Sequence, residues 1–120
     1  MANELLYEKG ICFAVRCVSL YKTLSSERGE YVISKQLLRS GTSIGANISE
    51  SNNAQSTPDY VNKLSIALKE ADETHYWLDL LQRTSYINQQ EYVSLDNDVK
   101  ELIAMLTTLV KKHKTKINQQ

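Results

Sequence analysis

The sequence predicts an all-α protein, an antiparallel up-down-up-down four-helix bundle making one domain over residues 1–120. Three observations predict it. Apolar residues recur at alternating steps of four and three in four separate segments. The breaks between those segments are short and polar, which favours neighbouring helices running in opposite directions. Turn-forming residues are scarce, with one Pro and four Gly in 120 residues, fewer than a sheet protein or a disordered chain needs. A chain of this length buries a core without staples, since roughly two-thirds of its unfolded surface is removed on folding.

The first helix is predicted over about residues 3–24. Leu6, Gly10, Phe13, Cys17, Leu20 and Leu24 form its stripe, flanked by Ile11, Ala14, Val18 and Tyr21. That arc is wider than the ~100° stripe of a simple surface helix. Ser25-Ser26-Glu27-Arg28-Gly29 breaks the pattern. The second helix spans about 31–52, with Leu37, Gly41, Ile44 and Ile48 on its inner line. Its Ser and Gly residues have poor intrinsic propensity, so tertiary packing must hold it helical. Small residues at helical spacing let another helix approach its backbone closely.

The third helix is predicted over 58–84. Thr57 is the expected cap, Pro58 sits in the first turn, and Asp59 complements the helix dipole. Its heptad is Tyr60, Leu64, Ala67, Ala71, Thr74, Leu78 and Leu81. The fourth spans 89–114, with Asn88 and Glu91 in a capping-box arrangement. Its stripe is Tyr92, Leu95, Val99, Leu102, Leu106 and Leu109, with Ile103, Met105 and Val110 off the line. Leu109 and Val110 are the last expected core residues, so 111–120 reads as a basic tail. The surplus apolar residues on the first and fourth helices exceed one core and predict self-association.

Lys plus Arg equals Asp plus Glu at 14 each, so the bias is local. Acids dominate from Asp59 to Glu101, and Lys111, Lys112, Lys114 and Lys116 then reverse the sign. Such a run is either a solvated, dipole-complementing helix end or an anion-binding tail for nucleic acid. Cys12 and Cys17 lie five apart, a spacing that points them in different directions and prevents a bridge within one helix. Both read as small buried hydrophobes suited to a reducing cytoplasm. The N-terminus lacks the layout of a secretory signal, and no apolar run reaches the roughly 18 residues of a membrane span.

Candidate chemistry is thin. Asp72-x-x-His75 and Glu50 suggest a carboxylate-bridged metal bundle, but that architecture needs two carboxylate-x-x-His pairs, and His113 has no carboxylate three residues before it. His75 reads as a partly exposed helix residue. Glu50, Glu70 and Glu73 have no accompanying nucleophile or oxyanion donor, so the sequence predicts no catalytic residue, no metal and no cofactor. Arg39 falls opposite Asp72 and Glu73 if the second and third helices pair about a turn near Gln55. Trp77 reads as a packed residue at the core edge or an interface. Ser40, Ser43 and Ser49 read as close-packing residues, and Asn47 as a hydrogen-bonding partner of a neighbouring helix.

Two segments, Leu38-Arg39-Ser40-Gly41-Thr42-Ser43-Ile44-Gly45-Ala46-Asn47-Ile48-Ser49-Glu50 and Lys63 through Glu70 to Glu73-Thr74-x-Tyr76-Trp77-Leu78, resemble the signature of a bacterial family. It is the four helix bundle protein family, also called the 23S ribosomal RNA intervening-sequence protein family. The resemblance spans about Leu6 to Lys112. It implies a bundle assembled as a ring, typically a homopentamer. A related branch, the accessory protein of diversity-generating retroelements, works with a reverse transcriptase and its template RNA. The resemblance carries Arg39, Ser40, Gly41, Gly45, Asn47, Glu50, Glu70, Glu73 and Trp77 over as structural residues.

The function expected is therefore a non-enzymatic, homo-oligomeric, cytoplasmic helical scaffold. Its partners would be further copies of itself and RNA or a reverse-transcriptase-like, RNA-handling protein, with Lys111, Lys112, Lys114 and Lys116 as nucleic-acid contacts. It would engage no membrane, and the sequence identifies no small-molecule substrate. The alternative is a protein-only interaction module with no nucleic-acid role.

Overall fold

The computed structural model describes residues 2–118. It contains α1 (Glu4–Arg28), α2 (Ile33–Ser51), α3 (Thr57–Arg83) and α4 (Gln89–Asn118), with no strand among the described residues. Each helix neighbours the next, and α4 returns to α1, making a four-helix bundle of 52 × 21 × 21 Å. Met1, Gln119 and Gln120, the ends of the expected domain and of the expected 111–120 tail, lie outside the described residues.

The helix ends are set by side-chain chemistry. Asn3 caps α1 by accepting from the Leu6 N–H at 2.9 Å. This helix continues four residues beyond its expected end. The Ser25 and Ser26 hydroxyls donate back to the carbonyls of Tyr21 and Lys22, so they are satisfied without leaving the helix. Gly29 ends it at φ 64°, a left-handed conformation that a side chain would strain.

The start of α2 is held by Glu30, which the sequence reading did not foresee. Its carboxylate accepts from the N–H groups of Val32, Ile33 and Ser34 at 2.8 to 3.1 Å. The Ser34 hydroxyl donates to the Glu30 carbonyl at 2.7 Å. A buried carboxylate thus satisfies the free donors of a helix start and meets the positive end of its dipole. Ser56, not Thr57, caps α3, accepting from the Asp59 N–H at 3.2 Å. Thr57 and Pro58 then occupy the first turn. The box of α4 is reciprocal: Glu91 N–H donates to Asn88 at 2.8 Å and Asn88 N–H to Glu91 at 3.0 Å.

One core runs the length of the bundle. The heptad of α3 is buried throughout, as are Leu6, Gly10, Phe13, Cys17 and Leu24 of α1. On α4 the buried line is Leu95, Asp96, Val99, Leu102, Leu106, Val110 and His113. Val110 therefore replaces Leu109 in the stripe. A helix with 3.6 residues per turn drifts off a strict 3.5-residue repeat, and two consecutive steps of four restore the inward line. The core also extends past Val110. His113 is buried against Tyr60, with ring centroids 4.8 Å apart, and Ile117 packs on its edge. The basic run is the last part of α4, not a free tail.

Candidate functional surfaces

The small-residue face of α2 receives α1. A Cβ on Gly45 would sit 3.2 Å from the Gly10 carbonyl oxygen, and one on Gly10 would sit 3.2 Å from Gly45 Cα. A Cβ on Gly41 would overlap Cys17 Sγ. On the other flank Ser40 accepts from the Thr74 hydroxyl of α3 at 2.9 Å. Asn47 does not reach a neighbouring helix. Its amide donates to the Ser43 carbonyl one turn back at 2.9 Å, an option open to any half-buried Asn whose own helix lies closer than the next. Cys17 is buried as expected, whereas Cys12 is exposed, because a step of five carries it off the inner face. Burial pushes the Cys17 thiol up to about 12.

Arg39 pairs with Glu73 and, at 3.3 Å, with Glu70. Glu73 was foreseen as a partner; Asp72 was not the other one. Glu70 and Glu73 are three apart and share a face, while Asp72 points to solvent. Glu73 also accepts from the Trp77 indole N–H at 2.9 Å, which fixes Trp77 at the core edge. Glu50 lies 3.7 Å from Lys63 and is mostly exposed. These residues stitch α2 to α3, and at such exposure each pair contributes about 1 kcal/mol or less.

A pair between α3 and α4 has no signal in the sequence. His75 Nδ1 lies 2.6 Å from Asp96 Oδ1, and Asp96 is only 2% exposed. Its second oxygen has no hydrogen-bond partner and faces Lys100 Nζ at 3.6 Å. Burial, and then the charge of Asp96, raises the Tyr92 phenol. A buried carboxylate beside an exposed imidazole orients that ring, yet among the described residues no nucleophile or third metal donor joins it. Among the described residues no three His, Cys, Asp or Glu side chains gather as a metal site. Glu50 and Asp72 lie apart from the pair: Glu50 is paired with Lys63 on the α2–α3 side and Asp72 is in solvent.

Two surfaces remain. Lys111, Lys112, Lys114 and Lys116 are exposed and make no ion pair among the described residues. On a helix, Lys111 and Lys114 share one side and Lys112 and Lys116 another, so they do not form one basic face. The second surface lies on α1. Tyr7, Ile11, Ala14, Val18 and Tyr21 run beside the core line at steps of four and three. Ile11 is 43% and Val18 37% exposed, and Val15 stands beside them at 60%. A groove of about 340 Å³ lies between this ridge and Thr42, Gly45 and Ala46 of α2. The surplus expected on α4 is mostly absorbed: Ile103 and Met105 are half-buried against the core, and Val93 is exposed. No helix among the described residues is long and apolar enough to cross a membrane.

Comparison with known proteins places this fold. The family model described as 23S rRNA-intervening sequence protein matches residues 3–108. Among solved structures, the chain is similar to a protein of unknown function from the S23 ribosomal protein family of Bacteroides thetaiotaomicron VPI-5482. The two share 54% sequence identity over 92% of this chain and 99% of that one, with a TM-score of 0.90. A search of the curated proteins finds no match.

Proposed function

The chain belongs to the 23S rRNA-intervening sequence protein family, and on that basis we propose that it is a non-enzymatic, self-associating helical scaffold of the cytoplasm that binds RNA or an RNA-handling protein. The subunit is an up-down-up-down bundle. Paired contacts support that order, since Ser40 meets Thr74 while Glu50 meets Lys63, and Gly10 meets Gly45 while Cys17 meets Gly41. The copies assemble as a closed ring of five.

The observation that carries the proposal is the outward ridge of α1. An apolar line at 3.5-residue spacing with no helix against it is a seam for another helix. Sedimentation equilibrium tests it, and a monomer of 13.7 kDa at micromolar concentration would defeat it. Nucleic-acid binding is tested by fluorescence anisotropy with short and long RNA. With about three lysines on phosphates, log K falls with log salt at a slope of about −2 per protomer. A ring joins several such sites, so long RNA binds about 10²-fold tighter or more. Replacing Lys111, Lys112, Lys114 and Lys116 by Gln removes the binding while the assembly persists.

The protein-only reading is favoured by one observation, the split of the four lysines between two sides of α4. Absence of RNA binding by the intact assembly at low salt selects it.

A further inference from the structure

We propose that the seam between α1 and α4 is an electrostatic latch, at which the bundle opens while its other three seams stay closed. Those three have direct packing beneath the ion pairs that also cross them at α2–α3 and α3–α4. Backbone meets backbone at Gly10 and Gly45, Thr74 bonds Ser40, and the Tyr60 and His113 rings meet at a tilt. Of the four neighbouring pairs, α1 and α4 meet least. Two grooves lie along their seam, one of about 510 Å³ edged by Val15, Leu20 and Leu95, the other of about 260 Å³ edged by Cys12, Phe13 and Leu102.

Among the described residues, every polar bridge over this seam starts from a basic side chain of α1. Lys9 pairs with Glu101. Arg16 pairs with Asp98 at 2.6 Å and donates to the Ser94 hydroxyl at 2.9 Å. At the end of α1, Arg28 reaches not α4 but the connection before it, the carbonyls of Ser85 and Tyr86 at 3.4 Å, and lies over the Tyr86 ring. The pattern is written in the sequence. Lys9 and Arg16 are seven apart on one line of α1, and Glu91, Ser94, Asp98 and Glu101 step by three and four on α4. The two lines carry opposite charge.

Charged bridges respond to salt in a way that apolar packing does not. All four carboxylate and ammonium or guanidinium groups of the Lys9 and Arg16 pairs are between 37% and 51% exposed, so ions screen them. The hydrogen bond to Glu101, and then its charge, holds the Lys9 ammonium above its ordinary value. When the bridges release, the α1–α2 hairpin swings from the α3–α4 hairpin about the packed α2–α3 seam. The opened face offers Phe13, Leu95 and Leu102, with cations on one wall and acids on the other.

A thiol introduced by Leu102→Cys, at a buried position edging this seam, reports this motion once Cys12 is replaced by Ser and Cys17 by Ala. Its alkylation by iodoacetamide should speed up about fivefold between about 20 mM and about 0.5 M salt, as the Debye length shrinks from roughly 20 Å to roughly 4 Å. Arg16→Met should alkylate fast already at low salt. Exchanging the charges, Arg16→Asp with Asp98→Arg, should restore slow, salt-sensitive alkylation. A rate indifferent to both salt and Arg16→Met overturns the latch. So does alkylation in step with hydrogen exchange at Leu64–Leu78 of α3, because the whole bundle would then be unfolding.

Discussion

At the scale of single residues, the glycines of α2 constrain the protein more than its charges do. Replacing Gly45 by Leu adds less than ~1 kcal/mol of helix propensity and forces α1 off, which costs ~1–3 kcal/mol. The variant should melt lower than wild type by circular dichroism. Glu30 makes a separate case. Glu30→Gln keeps the size but removes the charge and one acceptor from a site taking three backbone N–H bonds. It should destabilise by ~1–3 kcal/mol in urea titration. The close approach at Gly41 and Gly45 was legible because small residues at helical spacing have one mechanical meaning. The His75–Asp96 pair was not, because its members are 21 residues apart and only the rotation of α4 about its axis brings Asp96 inward. Arg39 lay between these cases: the pairing of the hairpin was readable, and the phase that chose Glu70 over Asp72 was not.

At the scale of elements, boundaries were legible to within a few residues where a cap specifies them, as at Asn88 and Glu91. They were missed where serine hydroxyls bond back into their own helix, as at the end of α1. The length of α4 has the largest consequence. Since His113 and Ile117 belong to the core edge, ending the chain after Val110 uncovers Tyr60 and removes the aromatic contact, worth about 0.5–1.5 kcal/mol by itself. The truncated protein should melt lower, whereas the four-lysine-to-glutamine variant should keep the wild-type transition. The pair of transitions, recorded by calorimetry, separates the role of the helix end in packing from its charge.

At the scale of the whole molecule, the four groups with raised values share one sign. Cys17, Tyr60 and Tyr92 are raised chiefly by burial, and Lys9 by Glu101. Each favours its protonated form in the fold. Their contribution is fully present below the unfolded values, 9.0 for the thiol and 10.0 for the phenols. It is lost as pH rises through the folded ones. Stability should therefore fall steeply above about pH 9, measured as the urea midpoint across the alkaline range. Cys17→Ala should flatten the first part of that fall. A midpoint constant to pH 11 would contradict the burial of these groups. The bundle itself was legible from periodicity alone, since four amphipathic segments with short breaks have few other ways to bury their faces.

The glycine contact between α1 and α2 also sets which mutations have suppressors. Most steric defects are relieved by trimming a neighbour. Gly41→Ala meets Cys17 Sγ, a side chain, so Cys17→Ala or Cys17→Gly should rescue it. Gly45→Ala presses on the Gly10 carbonyl oxygen and carbon. The obstacle there is main chain, and no substitution at position 10 makes it smaller. A reversion screen should recover second-site changes at Cys17 for the first mutant and, for the second, only restoration of glycine itself.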